Sequence, residues 1–284
     1  MVENNKEKVY DTLVLSGAST KGFLLLGALQ YSQDNFLLNN IHTYIGTSVG
    51  SIISYLLIIG YTPIEMMVYI CTHQILEKMQ NLNLVAMMQG NGAVSFHPIH
   101  ETLEKMTIDK IGYLPTLEDL YEKYNKKLIC VTHNITENKT EYLSHTNFPK
   151  IPCLTAIRMS ANLPLFFEHY RYGKSFYIDG GISDNFAIQL ADKNDNKVLG
   201  INLEDDKNNM TEPISDINIL EYLYKLMIIP ISQATDYKIS QASDNCSIIN
   251  LTSNKINMFD FNINSKTKLE MFTTGYTQAE SFYT

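Results

Sequence analysis

The sequence predicts an α/β fold, a three-layer sandwich whose central mixed, mostly parallel sheet is covered by helices on both faces. Three observations predict it. Short apolar runs recur at 11–16, 41–45, 127–133, 175–178 and 197–203, each bounded by glycine or polar residues. Helical patterns fill most of the gaps between them, and this alternation is the mark of crossover connections. The 284 residues are 45% hydrophobic, enough to bury a sizeable core.

The elements follow in order. Residues 1–10 are polar and charged and read as a tail, with no apolar segment of signal-peptide type. The strand at 11–16 ends at Gly17, and an apolar helix follows over 21–33. After the strand at 41–45, a helix over 48–59 is apolar nearly all round, which predicts burial. Its core, 52–59, is too short to span a bilayer. Pro63 suits the first turn of a helix running to about 80. The stretch 81–98 reads as loop, with the turn Gly90-Asn91-Gly92 inside it. A helix at 117–125 precedes the strand at 127–133 and a hairpin partner at 141–145. A helix over 153–161 ends at Asn162 and Pro164, and the strands at 175–178 and 197–203 follow. The organisation expected is an α/β core over 11–203 and an extension over 204–284, partly helical and packed on that core. Only a helix at 217–229 stands out in the extension.

Charge and cysteine usage narrow the function classes. A net charge of −8 argues against nucleic acid, which needs a concentrated basic surface. Peripheral membrane contact through apolar patches is compatible with it. Cys71, Cys130, Cys153 and Cys246 form no CxxC pair or zinc spacing and read as free thiols, which points to a cytoplasmic setting.

Gly46-Thr47-Ser48-Val49-Gly50 matches G-x-S-x-G between a predicted strand and a predicted helix. A nucleophilic serine needs a sharp turn that lifts its Oγ out of the fold. Glycines two residues to either side leave room for the neighbouring strand and helix, and the helix N-terminus favours developing negative charge. The competing reading is an ordinary turn with an N-capping serine. A second small-residue loop, Gly17-Ala18-Ser19-Thr20-Lys21-Gly22, also joins a strand to a helix. It presents backbone N–H groups to an anion, as an oxyanion hole or a phosphate cradle. The phosphate reading is the poorer one, because neither a P-loop nor a dinucleotide fingerprint is present.

An activated serine needs a base. No histidine follows His169, so a Ser…Asp…His order with a late histidine fits badly. Asp179-Gly180-Gly181 is better placed, because it ends the strand at 175–178, and open α/β sheets build sites at strand carboxyl ends. With an ordinary pKa of about 3.9, an aspartate is a feeble base unless burial raises it. The competing reading is an Asx turn.

Together these residues resemble the patatin-like phospholipase family. Leu15-Ser16-Gly17-Ala18-Ser19-Thr20-Lys21-Gly22 is similar to its first block, L-S-G-G-G-x-[KR]-G, and Gly46–Gly50 to its second. Arg158-Met159-Ser160-Ala161-Asn162-Leu163-Pro164-Leu165-Phe166-Phe167 is similar to its third, and Asp179-Gly180-Gly181 with Asn185 to its fourth. The resemblance covers about 11–203. It implies a Ser48–Asp179 dyad without histidine, metal or cofactor, and lipid or phospholipid esters as substrates. It also implies oxyanion donors among the backbone N–H groups of Gly17, Ala18 and Ser19.

Ala18 and Ser19 depart from the family's glycines. A positive φ at either would cost about 1 kcal/mol, and losing one oxyanion donor costs about 10²–10³ in kcat. A catalytically weak or silent lipid-binding scaffold is therefore an alternative, as is an esterase or thioesterase for soluble acyl compounds. His97 and His100 with Glu101 and Glu104 offer metal-ligand residue types, but read better as a solvated helix start. The helix at 217–229, with Leu220, Leu223, Leu226 and Met227, is expected to pack in the core. Leu82, Leu84, Val85, Met87 and Met88 suit a lid or lipid-facing rim. Lys21 and Arg158 are either contacts for lipid phosphate or structural charges.

Overall fold

The computed structural model describes residues 9–73, 75, 83–89, 92–204, 219–252 and 263–284. Most of the predicted tail, the stretch 76–82 with Leu82, and the start of the 217–229 helix lie outside the described residues, as do the side chains of Leu84, Met88 and Leu220.

The fold is an eight-stranded mixed sheet flanked by helices. Its centre is parallel. β1 (Thr12–Leu15) lies between β2 (Thr43–Thr47) and β7 (Val198–Glu204); β8 (Cys246–Thr252) extends the sheet beyond β7, and β3 (Lys127–Asn134) flanks β2. The antiparallel part is built on β3, which pairs with β4 (Lys139–Leu143) and β6 (Ser175–Asp179); β6 in turn pairs with β5 (Tyr170–Tyr172).

The central strands are apolar on both faces, because helices cover both. Leu13 and Leu15 of β1, Leu128 and Cys130 of β3, and Leu199 and Ile201 of β7 enter the larger core. That core is closed by α1 (Gly22–Asp34), α2 (Val49–Ile58), α3 (Pro63–His73), α5 (His97–Ile111), α6 (Leu117–Tyr124), α7 (Cys153–Ser160) and α11 (Ser265–Tyr283). The alternate residues Val14, Ile45, Ile129, Val131 and Val198 enter a smaller core with Phe186 and with Ile188 of α9 (Ile188–Ala191). The short α8 (Gly181–Asp184) and the long α10 (Ile219–Ser240) lie on this side. A five-residue helix, α4 (Leu84–Met88), sits in the stretch predicted to be loop, capped by the Asn83 side chain.

The helix expected at 217–229 does not end there. α10 passes Pro230 and continues to Ser240. Nor is it a core helix, since Tyr222, Leu226 and Ile229 are exposed. The reason is its position. Met227, Ile228 and Ile231 line a cavity that α10 covers, which leaves the other side of the helix to solvent.

One feature of the register sets up the site. Cys130 and Val131 pair with β2 along one edge of β3 and with β4 along the other. Thr132, His133 and Asn134 keep β4 on that second edge, so β6 must occupy the first, directly beyond the end of β2. β2 is parallel to β3 and β6 antiparallel, so their carboxyl ends meet head to head. Thr47 stands opposite Val131, and Asp179 opposite Thr132.

Candidate functional site

That head-to-head meeting brings Ser48, the residue after β2, against Asp179, the last of β6. Ser48 occupies the elbow between β2 and α2 at φ 55° and ψ −123°, a region that L residues avoid. Its side chain makes no capping bond to α2, which sets aside the reading as an N-capping serine. The Asp179 carboxylate lies near enough to the hydroxyl for Ser48 to lower its pKa.

The flanking glycines are there for space. A Cβ on Gly46 would lie 2.4 Å from the Gly50 carbonyl, and one on Gly50 would lie 2.7 Å from the carbonyl oxygens of Leu15 and Ser16. The elbow is braced from α7, where the Ser160 hydroxyl accepts the Ser48 N–H at 3.0 Å. Nothing about Ser160 in the sequence marked this role beyond its place in the third block.

Asp179 is buried, and one of its oxygens accepts the Gly181 N–H at 2.7 Å. The Asx turn is therefore present. Burial pushes the carboxyl up from 3.8 to about 6, against the neighbouring Ser48 and the Gly181 N–H, which pull it down. The Asp179 N–H donates to the Asn162 carbonyl at 2.9 Å, and the Gly180 N–H to that of Ser160 at 3.2 Å. A side chain on Gly180 would run into the Val131 carbonyl at 2.2 Å, so the Asp-Gly-Gly turn lies flat on β3.

Arg158 locks this turn from beneath. Its guanidinium donates to Asn162 Oδ1 and to the Glu168 carbonyl, lies 3.4 Å from the Glu168 carboxylate, and stacks 4.2 Å from the Phe96 ring. Asn162 Nδ2 in turn donates to the Tyr177 carbonyl at 2.8 Å. Arg158 is buried in this network, so of its two readings the structural charge holds. Lys21 is buried as well.

The Gly17–Gly22 loop faces the elbow. A Cβ on Gly17 would lie 2.5 Å from Asn185 Oδ1 and 3.4 Å from Ser48 Cβ, so glycine lets loop and serine approach. The Gly17 N–H, however, already donates to the Asn185 carbonyl at 3.2 Å, which removes it from the expected set of oxyanion donors. Of the two departures from glycine, Ser19 takes the positive φ, 45°, while Ala18 sits at −146°. Gly22 meets Val49 of α2, where a Cβ would lie 3.1 Å from a methyl group. Gly181 lies between Asp179 and Asn185, with 2.9 Å from its Cβ position to a side-chain oxygen of each.

Loop, elbow and Asp179 open into a cavity of about 250 Å³ that is walled mostly by apolar side chains of α1, α2, α3 and α5. Among the described residues no group of three or more His, Cys, Asp or Glu is disposed to hold a metal ion. His97 and Glu101 pair with each other at 3.1 Å on the exposed side of α5. No single helix among the described residues is long and apolar enough to cross a membrane.

Comparison with known proteins gives these features a family. The probable lipid hydrolase 463L of Invertebrate iridescent virus 6 is 37% identical over 198 residues, 68% of this chain and 67% of that protein. The uncharacterized protein R571 of Acanthamoeba polyphaga mimivirus is 27% identical over 276 residues, 95% of this chain and 92% of that one. Among solved structures, VipD from Legionella pneumophila shares the fold, with a TM-score of 0.55 at 16% identity. The match covers 96% of this chain but 66% of VipD, so the chain spans just under two thirds of that protein. The family profile described as patatin-like phospholipase matches residues 13–192, from β1 to just past α9. With that much of the sequence matched and a relative at 37% identity, the chain belongs to the patatin-like phospholipase family.

Proposed function

We propose that this protein is a lipid acyl hydrolase of phospholipase A type, cleaving fatty-acyl esters with Ser48 as nucleophile and Asp179 as base. The observation that carries the reading is a serine on a strained elbow set beside a buried carboxylate, at the mouth of an apolar cavity. In the reaction Ser48 Oγ attacks the ester carbonyl and Asp179 takes its proton. The tetrahedral oxyanion sits against the backbone N–H groups of Ala18 and Ser19 and the N-terminus of α2. Asp179 then returns the proton to the departing alkoxide. Water, deprotonated by the same carboxylate, attacks the acyl-enzyme, and the free fatty acid leaves.

The positive φ of Ser19 supports a working loop, because the chain takes the left-handed turn despite carrying a side chain there. Lipid esters reside in membranes, so the reading includes peripheral contact with a lipid surface. The exposed Tyr222, Leu226 and Ile229, spaced along the helix that also lines the cavity, support that contact. The four free thiols fit a reducing, cytoplasmic compartment.

A fluorophosphonate probe should label Ser48, and Ser48→Ala should lose both the label and fatty-acid release, by about 10³-fold or more. Full release by Ser48→Ala would end the proposal. Rates on monomeric against aggregated substrate separate it from a hydrolase of soluble esters or thioesters, which would gain nothing from the interface.

A further inference from the structure

The apolar wall of the cavity follows one face of a helix. Val49, Ile52, Ile53 and Leu56 of α2 all line it, and residues at that spacing share a face. The face begins beside Ser48 and runs away from it. Between Val49 and Leu56 the helix rises about 10 Å.

α5 lies alongside and runs the same way. Ile52 packs with Phe96 and Ile99, at the start of α5. Further along α2, the Tyr55 hydroxyl is hydrogen-bonded to Thr107 Oγ1 at 3.0 Å, in the second half of α5. The Tyr61 hydroxyl, just past α2, donates to the Met106 carbonyl at 3.0 Å. The two tyrosines stitch the far ends of the helices together.

Exposure falls along this path. Val49 and Ile52 are half-buried. Ile53 and Leu56 are each 4% exposed, Met106 2% and Met66 1%, although all four still line the cavity. The space therefore tapers out at Leu56, Met66 and Met106, against the tyrosine bonds. These three side chains form a floor.

We infer that this arm of the cavity is an acyl-chain slot closed at its far end, and that Leu56, Met66 and Met106 set the chain length the protein accepts. The inference rests on the lipid-hydrolase reading and adds a substrate class to it: medium-chain acyl groups over long ones. An extended chain advances about 1.25 Å per carbon, given C–C bonds of the usual length and angle. The path along α2 thus takes about eight carbons. Each methylene that enters exchanges water for an apolar wall. A longer chain must leave its last carbons in water or press into a packed core, which resists added volume.

The test is a competition. Butanoyl, octanoyl, dodecanoyl and hexadecanoyl esters of para-nitrophenol are mixed in equal amounts in one non-ionic micelle. The acids that the full chain releases are quantified by mass spectrometry. The octanoyl ester should exceed the hexadecanoyl ester in kcat/KM by about tenfold or more. Met106→Ala keeps the backbone bond to Tyr61 and lowers the floor, so dodecanoyl should then match or pass octanoyl. Ile52→Phe, nearer the mouth at a half-buried position, should move the preference toward butanoyl, and it covers the case in which the alanine variant does not fold. An optimum at hexadecanoyl, or one that neither folded variant moves, would overturn the slot and leave the hydrolase reading intact. The same mixture is offered to Ser48→Ala, and the esters that co-elute with the protein are measured. Preferential binding of octanoyl without Ser48-dependent release of any acid leaves the slot standing and removes the hydrolase reading. Release without length preference removes the slot alone, and neither binding nor release removes both.

Discussion

Asp179 is held in a state that costs the fold and suits the base we propose it to be. Its carboxyl stands at about 6 because burial outweighs the pull of Ser48 and the Gly181 N–H. As a base it must be ionised, so kcat/KM should rise about tenfold per pH unit up to about pH 6 and level off above it. A rate that stays flat well below pH 6 would remove Asp179 from the role. Stability should run the other way. The folded protein holds this proton more tightly than the unfolded chain does, so the contribution of Asp179 is complete below about pH 4 and is lost as pH rises through about 6. The rise from 3.8 to about 6 corresponds to roughly 3 kcal/mol. Asp179→Asn should therefore melt higher than wild type at about pH 8 while losing most of the hydrolysis. A lower melting temperature would show that the hydrogen bonds of the carboxylate outweigh its burial. Ser48 and Asp179 are legible in the sequence because the turns around them are built from adjacent glycines. Ser160, Asn162 and Arg158 are not legible as braces, since their partners Ser48, Tyr177 and Glu168 are chosen by packing rather than by neighbourhood in the chain.

At the scale of elements, the sharpest constraint is the crossing of α1 and α11. A Cβ on Gly27 would lie 1.9 Å from the Phe272 carbonyl oxygen, and one on Gly275 would lie 2.0 Å from that of Leu24. The two backbones touch at glycine. Gly275→Leu should force the helices apart and cost about 1–3 kcal/mol or more, read as a lower urea midpoint. An unchanged midpoint would mean that α11 shifts at no cost. The same contact explains why α11 escapes a sequence reading: much of its binding surface is bare backbone, so its apolar stripe is thin. β8 is hidden for a related reason, being an edge strand with polar Asn250 exposed. α8 and α9, four residues each, are too short to show a period. α10 overruns its predicted end because Pro230 removes one hydrogen bond while both halves of the helix keep their contacts over the cavity and on α8.

For the whole molecule, the family profile stops at residue 192 while the fold does not. β8 pairs with β7 along its full length, and α11 covers α1. Deleting residues 241–284 would strip both and expose apolar faces of α1 and β7. We expect the truncated chain to lose cooperative thermal unfolding and to aggregate, measured by calorimetry and light scattering. Cooperative melting at the temperature of the full chain would make the extension dispensable. The sequence by itself determined the α/β class, the order of the principal strands and helices and the two turns that bear Ser48 and Asp179, because periodicity and glycine placement are local properties. Tertiary structure alone decided that β2 and β6 share one edge of β3 and meet end to end. It also decided that the Asn185 carbonyl takes the Gly17 N–H. Those outcomes depend on strand register and on which residues far apart in the chain compete for the same space, and neither is written in any short stretch of sequence.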